Sequence, residues 1–275
     1  MIKIFDLHND FLTNESVKSK KAYIKKINQN KNIEKLCAVI WTSKMQNPLE
    51  QIVKLYNKFL KNNKKLVLCI EDLSFVNKNN LENVVDTIIK LQPLYCSLTW
   101  NFDNELGGGA FGKKGLTRLG KIIVKIFEKN NIYIDTAHMN RKTFYDFCKI
   151  TTKPILCSHA NINSIYKHNR NLTDTQISTI IQKKGLIGIS FVKNFISDSQ
   201  ITSQDIKSQF SYLMSKYICD NNIGIGSDFF GTDNLPLDVK NYNEINNIFI
   251  NQKYFTHKMK KNILSLNAKR FFKLK

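Results

Sequence analysis

The chain opens Met1-Ile2-Lys3-Ile4-Phe5-Asp6-Leu7-His8-Asn9-Asp10, a short apolar run that closes on an imidazole and a carboxylate spaced HxD. Alternate side chains of an extended strand share a face, so His8 and Asp10 at a strand's end aim at one point. Alone, HxD is a weak signal. Four more apolar runs end in the same kind of residue. Glu71 follows Lys65-Leu66-Val67-Leu68-Cys69-Ile70, His138 follows Ile132-Tyr133-Ile134-Asp135, His159 follows Pro154-Ile155-Leu156-Cys157, and Asp228 follows Ile223-Gly224-Ile225-Gly226-Ser227. A barrel of parallel strands brings all its strand C-termini to one face and would gather these side chains into one site.

The rest of the chain repeats one unit: a β-branched apolar run, a loop, then an amphipathic helical pattern. Strands are predicted over 2–8, 35–42, 65–71, 94–100, 132–137, 154–159, 186–191 and 223–228. Helices are predicted near 15–30, 47–63, 80–91, 115–130, 140–151, 173–184 and 203–220, with further patterns near 239–250 and 255–272. Thr173-Asp174-Thr175-Gln176 reads as a capping box at one helix start. Eight alternations without a linker or low-complexity stretch predict one α/β domain over residues 1–275, a (β/α)8 TIM barrel with its site at the C-terminal ends of the strands. A doubly wound open sheet is the rival, but no GxGxxG or GxxxxGK[ST] loop follows any strand.

Composition bounds the function classes. The 275 residues can bury a sizeable core, and 42% hydrophobic content belongs to a globular protein. The first apolar run starts at residue 2, leaving no space for a signal sequence, and no run of about 18 uncharged apolar residues follows. Export or membrane insertion is therefore not expected. Six scattered cysteines (Cys37, Cys69, Cys96, Cys148, Cys157, Cys219) form no CxxC pair, which predicts reduced, mostly buried thiols in a cytoplasmic protein. The 42 Lys+Arg against 22 Asp+Glu give a formal charge of +20. That balance raises nucleic acid as a partner, yet the lysines fall on helical stretches such as 17–26, and no arginine-rich segment or zinc-finger spacing accompanies them. No specific nucleic-acid role is expected; the charge speaks to solubility and nonspecific association.

These motifs, in this order, resemble the membrane (renal-type) dipeptidases of the metal-dependent amidohydrolase superfamily. Asp6-Leu7-His8-Asn9-Asp10 is similar to the family's opening D-x-H-N-D, and Glu71-Asp72 sits where the family places a bridging glutamate. Leu98-Thr99-Trp100-Asn101 with Asn104, Gly115-Leu116-Thr117 and Gly120 resemble its central block. Asp135-Thr136-Ala137-His138, Ser158-His159, Arg170-Asn171-Leu172-Thr173-Asp174 and Gly226-Ser227-Asp228-Phe229 complete it.

The resemblance implies two Zn2+ per chain: His8 and Asp10 on one, His138 and His159 on the other, Glu71 and a water or hydroxide bridging them. Nitrogen and carboxylate donors suit zinc, and a water between two such ions becomes a nucleophile near neutral pH. By the same resemblance Asp228 is the catalytic acid/base, and Arg170 grips the substrate's terminal carboxylate with Trp100 and Asn101 beside it. The implied substrate is a small dipeptide, a C-terminal D-residue included. The rivals are another amide, such as an N-acyl amino acid or lactam, and an inactive barrel that binds a partner. The family commonly forms homodimers, although nothing in the sequence reports oligomeric state.

Other residues take plainer readings. His168 and His257 are read as structural, Asp6 and Asp135 as carboxylates that orient ligands, and Cys69 and Cys157 as inward core residues beneath the site. Gly107-Gly108-Gly109-Ala110-Phe111-Gly112 is read as a mobile active-site loop. Trp100 stands where renal-type members carry a histidine, and Phe230 replaces a common acidic residue, so both bear on substrate range.

Overall fold

Every strand of the computed structural model, which describes residues 2–217, 220–250 and 255–274, runs parallel to its neighbours, and the eighth returns to pair with the first. The strands are β1 (Ile4–Asn9), β2 (Ile33–Trp41), β3 (Leu66–Glu71), β4 (Tyr95–Ser97), β5 (Tyr133–Asp135), β6 (Leu156–Ala160), β7 (Leu186–Ile189) and β8 (Ile223–Ile225). Helices α1 (Lys20–Gln29), α2 (Pro48–Leu55), α3 (Leu81–Leu91), α4 (Arg118–Lys129), α5 (Arg141–Cys148), α6 (Asp174–Gln182) and α7 (Ser203–Tyr217) alternate with them. The (β/α)8 barrel expected from the repeating unit is present. Among the described residues no helix is long and apolar enough to cross a membrane.

Two apolar layers hold it together. Isoleucine and leucine on the outer face of the strands, such as Ile40, Ile70 and Ile189, pack with helix residues such as Val84, Phe127 and Ile180. Inside the barrel, Phe5, Leu7, Cys37, Val39, Cys69, Tyr95, Tyr133, Leu156 and Leu186 form a second cluster. Its floor comes from the C-terminal segment, where α8 (His257–Lys261), a π-turn (Asn262–Leu266) and α9 (Asn267–Phe271) follow one another. Ala268 and Phe272 enter the interior cluster, and Phe272 stacks on Phe5 with 6.1 Å between ring centroids. The barrel interior is thus plugged at its N-terminal end by the C-terminal segment.

Local chemistry sets several boundaries. The capping box at α6 is formed in both directions: Thr173 Oγ1 accepts from Gln176 N, and Gln176 Oε1 accepts from Thr173 N. α1 begins at Lys20 rather than 15 because Ser19 caps it, its hydroxyl accepting from Ala22 N at 3.2 Å. The helix expected over 239–250 is replaced by turns and a 3-10 segment, Ile245–Phe249. Polar side chains there take local backbone partners, with Lys240 N donating to Glu244 Oε2 and Asn243 N to Asn241 Oδ1, which competes with helical pairing. Of the helix expected to reach 220, α7 is described to Tyr217 and residue 220 is in a turn, while residues 218 and 219, Cys219 among them, lie outside the described set.

The strands also end earlier than their apolar runs. β4, β5 and β8 stop at Ser97, Asp135 and Ile225, so Trp100, His138 and Asp228 stand in the loops that follow. Cys157 corrects a second expectation. The ladder between β6 and β7 shifts register between Cys157 and Ala160, alternation fails there, and Cys157 packs in the outer layer while Cys69 does face inward.

Candidate metal centre

Alternation along β3 places Cys69 and then Glu71 on the inner face, so the Glu71 carboxylate rises into the open rim. Its two oxygens face different neighbours. Oε2 lies 3.7 Å from His8 Nε2, whose other neighbour is Asp10 Oδ2 at 3.3 Å. Oε1 lies 3.0 Å from His138 Nε2 and 3.7 Å from His159 Nε2. The two imidazole Nε2 atoms of His138 and His159 are themselves 3.0 Å apart. His8–Asp10–Glu71 and Glu71–His138–His159 are therefore two donor groups sharing one carboxylate.

Each imidazole is held by its far nitrogen. Ser158 Oγ donates to Asp135 Oδ2, so it faces His159 Nδ1 (2.8 Å) and His8 Nδ1 (3.3 Å) as an acceptor. Tyr95 Oη donates to Leu7 O at 2.7 Å and likewise meets His8 Nδ1, 3.1 Å away, as an acceptor. Asn101 Oδ1 takes the Nδ1 proton of His138 at 3.0 Å. All three rings then carry hydrogen on Nδ1 and turn the Nε2 lone pair toward Glu71, the tautomer a metal-binding histidine needs.

Buried polar atoms without partners mark what the arrangement lacks. His8 Nε2, both Asp10 carboxylate oxygens and Glu71 Oε1 are buried and make no hydrogen bond. Leaving such atoms unsatisfied costs about 1–3 kcal/mol each, more for charged groups, and a divalent cation in each donor group would satisfy them together. The residues present thus fit a pair of metal ions. Electrostatics agrees. Burial disfavours a charged His8, but the facing Asp10 and Glu71 outweigh it and raise its pKa, so a positive charge is wanted there. Burial would raise Glu71, yet His8 and His138 hold it well below the ordinary carboxylate value. Burial and the nearby Arg170 lower His138 to about 4, and burial leads the same effect at His159, leaving both neutral and able to ligate.

Asp228 Oδ2 lies 4.0 Å from His159 Nε2, and burial, the largest cause, raises its pKa well above the usual carboxylate value. Both His138 and Asp228 sit at positive φ, 67° and 59°, a left-handed backbone uncommon outside glycine. Arg170 is 5% exposed. Its Nη2 donates to His159 O at 3.2 Å, its guanidinium covers the Phe195 ring at 5.2 Å, and its Nε has no partner.

These groups line a cleft of about 870 Å3 at the rim, together with Trp41, Trp100, Asn101, His168, Phe195 and Phe230. Every candidate named from the sequence for metal, catalysis or substrate is in that cleft or, for His8, directly beneath it. The roles differ in three places. Asn101, expected at substrate, is engaged with His138. His168, read as structural, lines the cleft and accepts from Arg170 N at 3.2 Å. The glycine loop is not loose: Gly107–Ala110 are buried, and a Cβ on Gly109 would lie 2.1 Å from Trp100 O, so glycine there lets the loop buttress Trp100 and Asn101. Asp6 positions the backbone of a proposed ligand as well as tying strands together, accepting from His8 N at 3.3 Å, Ser227 N at 2.9 Å and Tyr242 Oη at 2.6 Å. Sequence reasoning passed over Tyr95, Ser158 and Trp41. Trp41 offered a signal, since it ends its strand as the donors end theirs and pairs in register with Glu71.

Among curated proteins, the chain is 31% identical over 147 residues to an uncharacterized protein from the pqqA 5′ region of Klebsiella pneumoniae, an alignment covering 48% of this chain and 53% of that one. It is 26% identical over 269 residues to an uncharacterized dipeptidase of Schizosaccharomyces pombe, covering 84% of this chain and 63% of the relative. The chain thus spans only about half to two-thirds of the length of these relatives. In fold it superposes with a TM-score of 0.80, at 15% identity and 99% coverage of both chains, on a metallo peptidase from Rhodobacter sphaeroides solved with a phosphinate mimic of the dipeptide L-Ala-D-Ala. The model of the membrane dipeptidase family matches residues 13–274, almost the whole chain, and on that match the chain belongs to the membrane dipeptidases, peptidase family M19.

Proposed function

We propose that this protein is a metal-dependent dipeptidase that works with two zinc ions, one held by His8 and Asp10 and one by His138 and His159, with Glu71 across both. The observation that carries the reading is the division of the Glu71 carboxylate between two donor groups, with the donor atoms buried and unpartnered. Family membership and the dipeptide mimic bound by the Rhodobacter sphaeroides protein support a dipeptide as substrate.

His8, Asp10, Glu71, His138 and His159 would hold the ions, which would supply Lewis-acid polarisation of the scissile carbonyl and a lowered pKa for a bound water. The chain's own groups do the rest. Asp228 accepts a proton from the attacking water and delivers it to the departing amine nitrogen, cleaving the amide to a carboxylic acid and an amine; at neutral pH the acid's proton passes to the amine, giving a carboxylate and an ammonium group. Arg170 grips the terminal carboxylate of the substrate through its free Nε–H and holds the dipeptide in register. Cytoplasmic residence belongs to the same reading, supported by the five described cysteines, all of which are free thiols.

The test is metal content per chain of protein purified without chelator, with hydrolysis of L,L and L,D dipeptides measured with and without added zinc. About two metals per chain and metal-dependent cleavage, lost in Asp228→Asn with the metal retained, is the expected result. No metal uptake from zinc-supplied buffer removes the mechanism. Two metals without cleavage of any dipeptide redirects the search to other amides.

A further inference from the structure

The chain has two tryptophans, and both stand in this cleft. Trp41 ends β2 beside Glu71, and Trp100 follows β4; their ring centroids are 5.1 Å apart, and Trp100 lies 5.9 Å from the His138 ring. Arg170 and Phe195 belong to the loops after β6 and β7. In an eight-stranded barrel, β2 to β4 stand across the rim from β6 to β7, so the indoles and the guanidinium form opposite walls with the Glu71 donor groups between them. A dipeptide whose carboxylate is held at Arg170 and whose amide lies over Glu71 directs the side chain of its first residue toward the indoles. The indole faces of that wall are large and apolar, with Lys44 Nζ 5.6 Å from the Trp41 ring.

We infer that Trp41 and Trp100 form a subsite selecting a bulky apolar or aromatic side chain on the residue that contributes the scissile carbonyl. The inference rests on the dipeptidase reading for the direction in which substrate lies. Its physical basis is separate: the two indoles, tilted 56° to one another, offer an angled apolar surface that a phenyl or branched side chain covers and a methyl leaves wet. A cleft of about 870 Å3 leaves space for such a group. Differences of this kind in apolar pockets are worth roughly tenfold or more in kcat/KM.

Because both tryptophans lie at the subsite, the protein's indole fluorescence reports on it without reference to turnover. Zinc-loaded full-length chain is titrated with phosphinate mimics of L-Phe-D-Ala and L-Ala-D-Ala while tryptophan emission is followed. In parallel, kcat/KM for L-Phe-D-Ala and L-Ala-D-Ala is measured for the parent chain and for Trp41→Ala. The expected result is a change in emission with roughly tenfold tighter binding of the phenylalanyl mimic. The ratio of kcat/KM for the two dipeptides is expected to fall by about the same factor in Trp41→Ala. Equal affinities for the two mimics, or a ratio unchanged in Trp41→Ala, overturns the subsite. If neither dipeptide is turned over, the proposed function fails, and the titration alone decides the subsite. If Trp41→Ala does not fold, Trp41→Leu replaces it, and the parent titration stands by itself.

Discussion

Ser158 gives its single hydroxyl proton to Asp135 Oδ2 and is thereby left with only lone pairs for the histidines beside it. Through that one oxygen a buried carboxylate fixes the tautomer of His159 at 2.8 Å and contributes to that of His8 at 3.3 Å, one ring from each donor group. Asp135 is itself anchored, accepting from Ser158 N at 2.8 Å and Ala137 N at 3.1 Å.

Ser158→Ala removes the shared acceptor without altering the fold's volume by more than an oxygen. Outer hydrogen bonds of this kind are typically worth 10–100-fold in metal affinity, so metal affinity measured by chelator competition is expected to fall by roughly that range. Stability is expected to fall by about 1–3 kcal/mol in denaturant titration, since Asp135 Oδ2 and the His159 Nδ1–H lose their partner while His8 Nδ1 keeps Tyr95. An unchanged metal affinity would show that Tyr95 and the backbone suffice to hold the rings.

His138 and Asp228 could be named from the sequence, but the backbone that presents them could not. The five strand-end donors could be read from where apolar runs stop, because inward alternation and a shared rim follow from chemistry and topology alone. The runs Ile132–Ala137 and Ile223–Asp228 look continuous, yet hydrogen-bonded pairing ends at Asp135 and Ile225, and the backbone then turns left-handed at His138 and Asp228. Nothing local announces that turn, since neither residue is glycine; it is imposed by the surrounding packing. Ser158 and Tyr95 were hidden for a different reason. A serine before a histidine and a tyrosine inside an apolar run have many uses, and only the closed barrel brings them to the far nitrogens of rings from β1 and β6. Cys157 was misplaced because a register shift in one ladder reverses the face, and pattern counting assumes a regular strand.

Asp228→Asn separates catalysis from stability. Asparagine tolerates a left-handed backbone at least as well as aspartate, and it removes a carboxylate that burial and the neighbouring Asp10 and Glu71 disfavour. The variant is expected to lose about 10²–10⁴ in kcat for want of a proton carrier while its unfolding midpoint stays level or rises. A clear fall in stability would mean that the Asp228 side chain is a structural member of the rim.

Removal of the metals should be felt throughout the barrel. The donor groups come from β1 and the residue after it, from β3 and β6, and from the segment after β5, so ions bound there join strands that are distant in sequence. Anything that binds only the folded state stabilises by about 2.7 kcal/mol at a hundredfold excess over its dissociation constant, and for a domain of this size that is roughly 5–11 °C in midpoint. Dialysis against chelator is expected to lower the melting temperature by an amount in that range and readdition of zinc to restore it. Identical melting curves before and after chelation would show that nothing binds at Glu71.

Asp174 supplies a pH dependence that belongs to the scaffold rather than to the site. It opens α6 and accepts from Ser164 Oγ (2.9 Å), Tyr212 Oη (2.9 Å), Tyr217 Oη (2.8 Å) and Lys216 Nζ (2.8 Å), fastening α7 to the loop beyond β6. Burial pushes this carboxyl up, but the bonds from Lys216, Tyr217, Ser164 and Tyr212 together outweigh it and hold its pKa below the ordinary value of 3.8. A depressed carboxylate means that the unfolded chain binds the proton more tightly than the folded one. Its stabilisation is therefore complete above the ordinary carboxylate range and is lost as pH falls through and below it. The side chain is 36% exposed, so solvent screening keeps the contribution to about 0.5–1 kcal/mol. Asp174→Asn is expected to melt about 1–4 °C below the parent chain at neutral pH, with the gap closing as pH is lowered from about 6 toward 3. A gap that stays constant over that range would assign the loss to the geometry of the amide and not to the charge of Asp174.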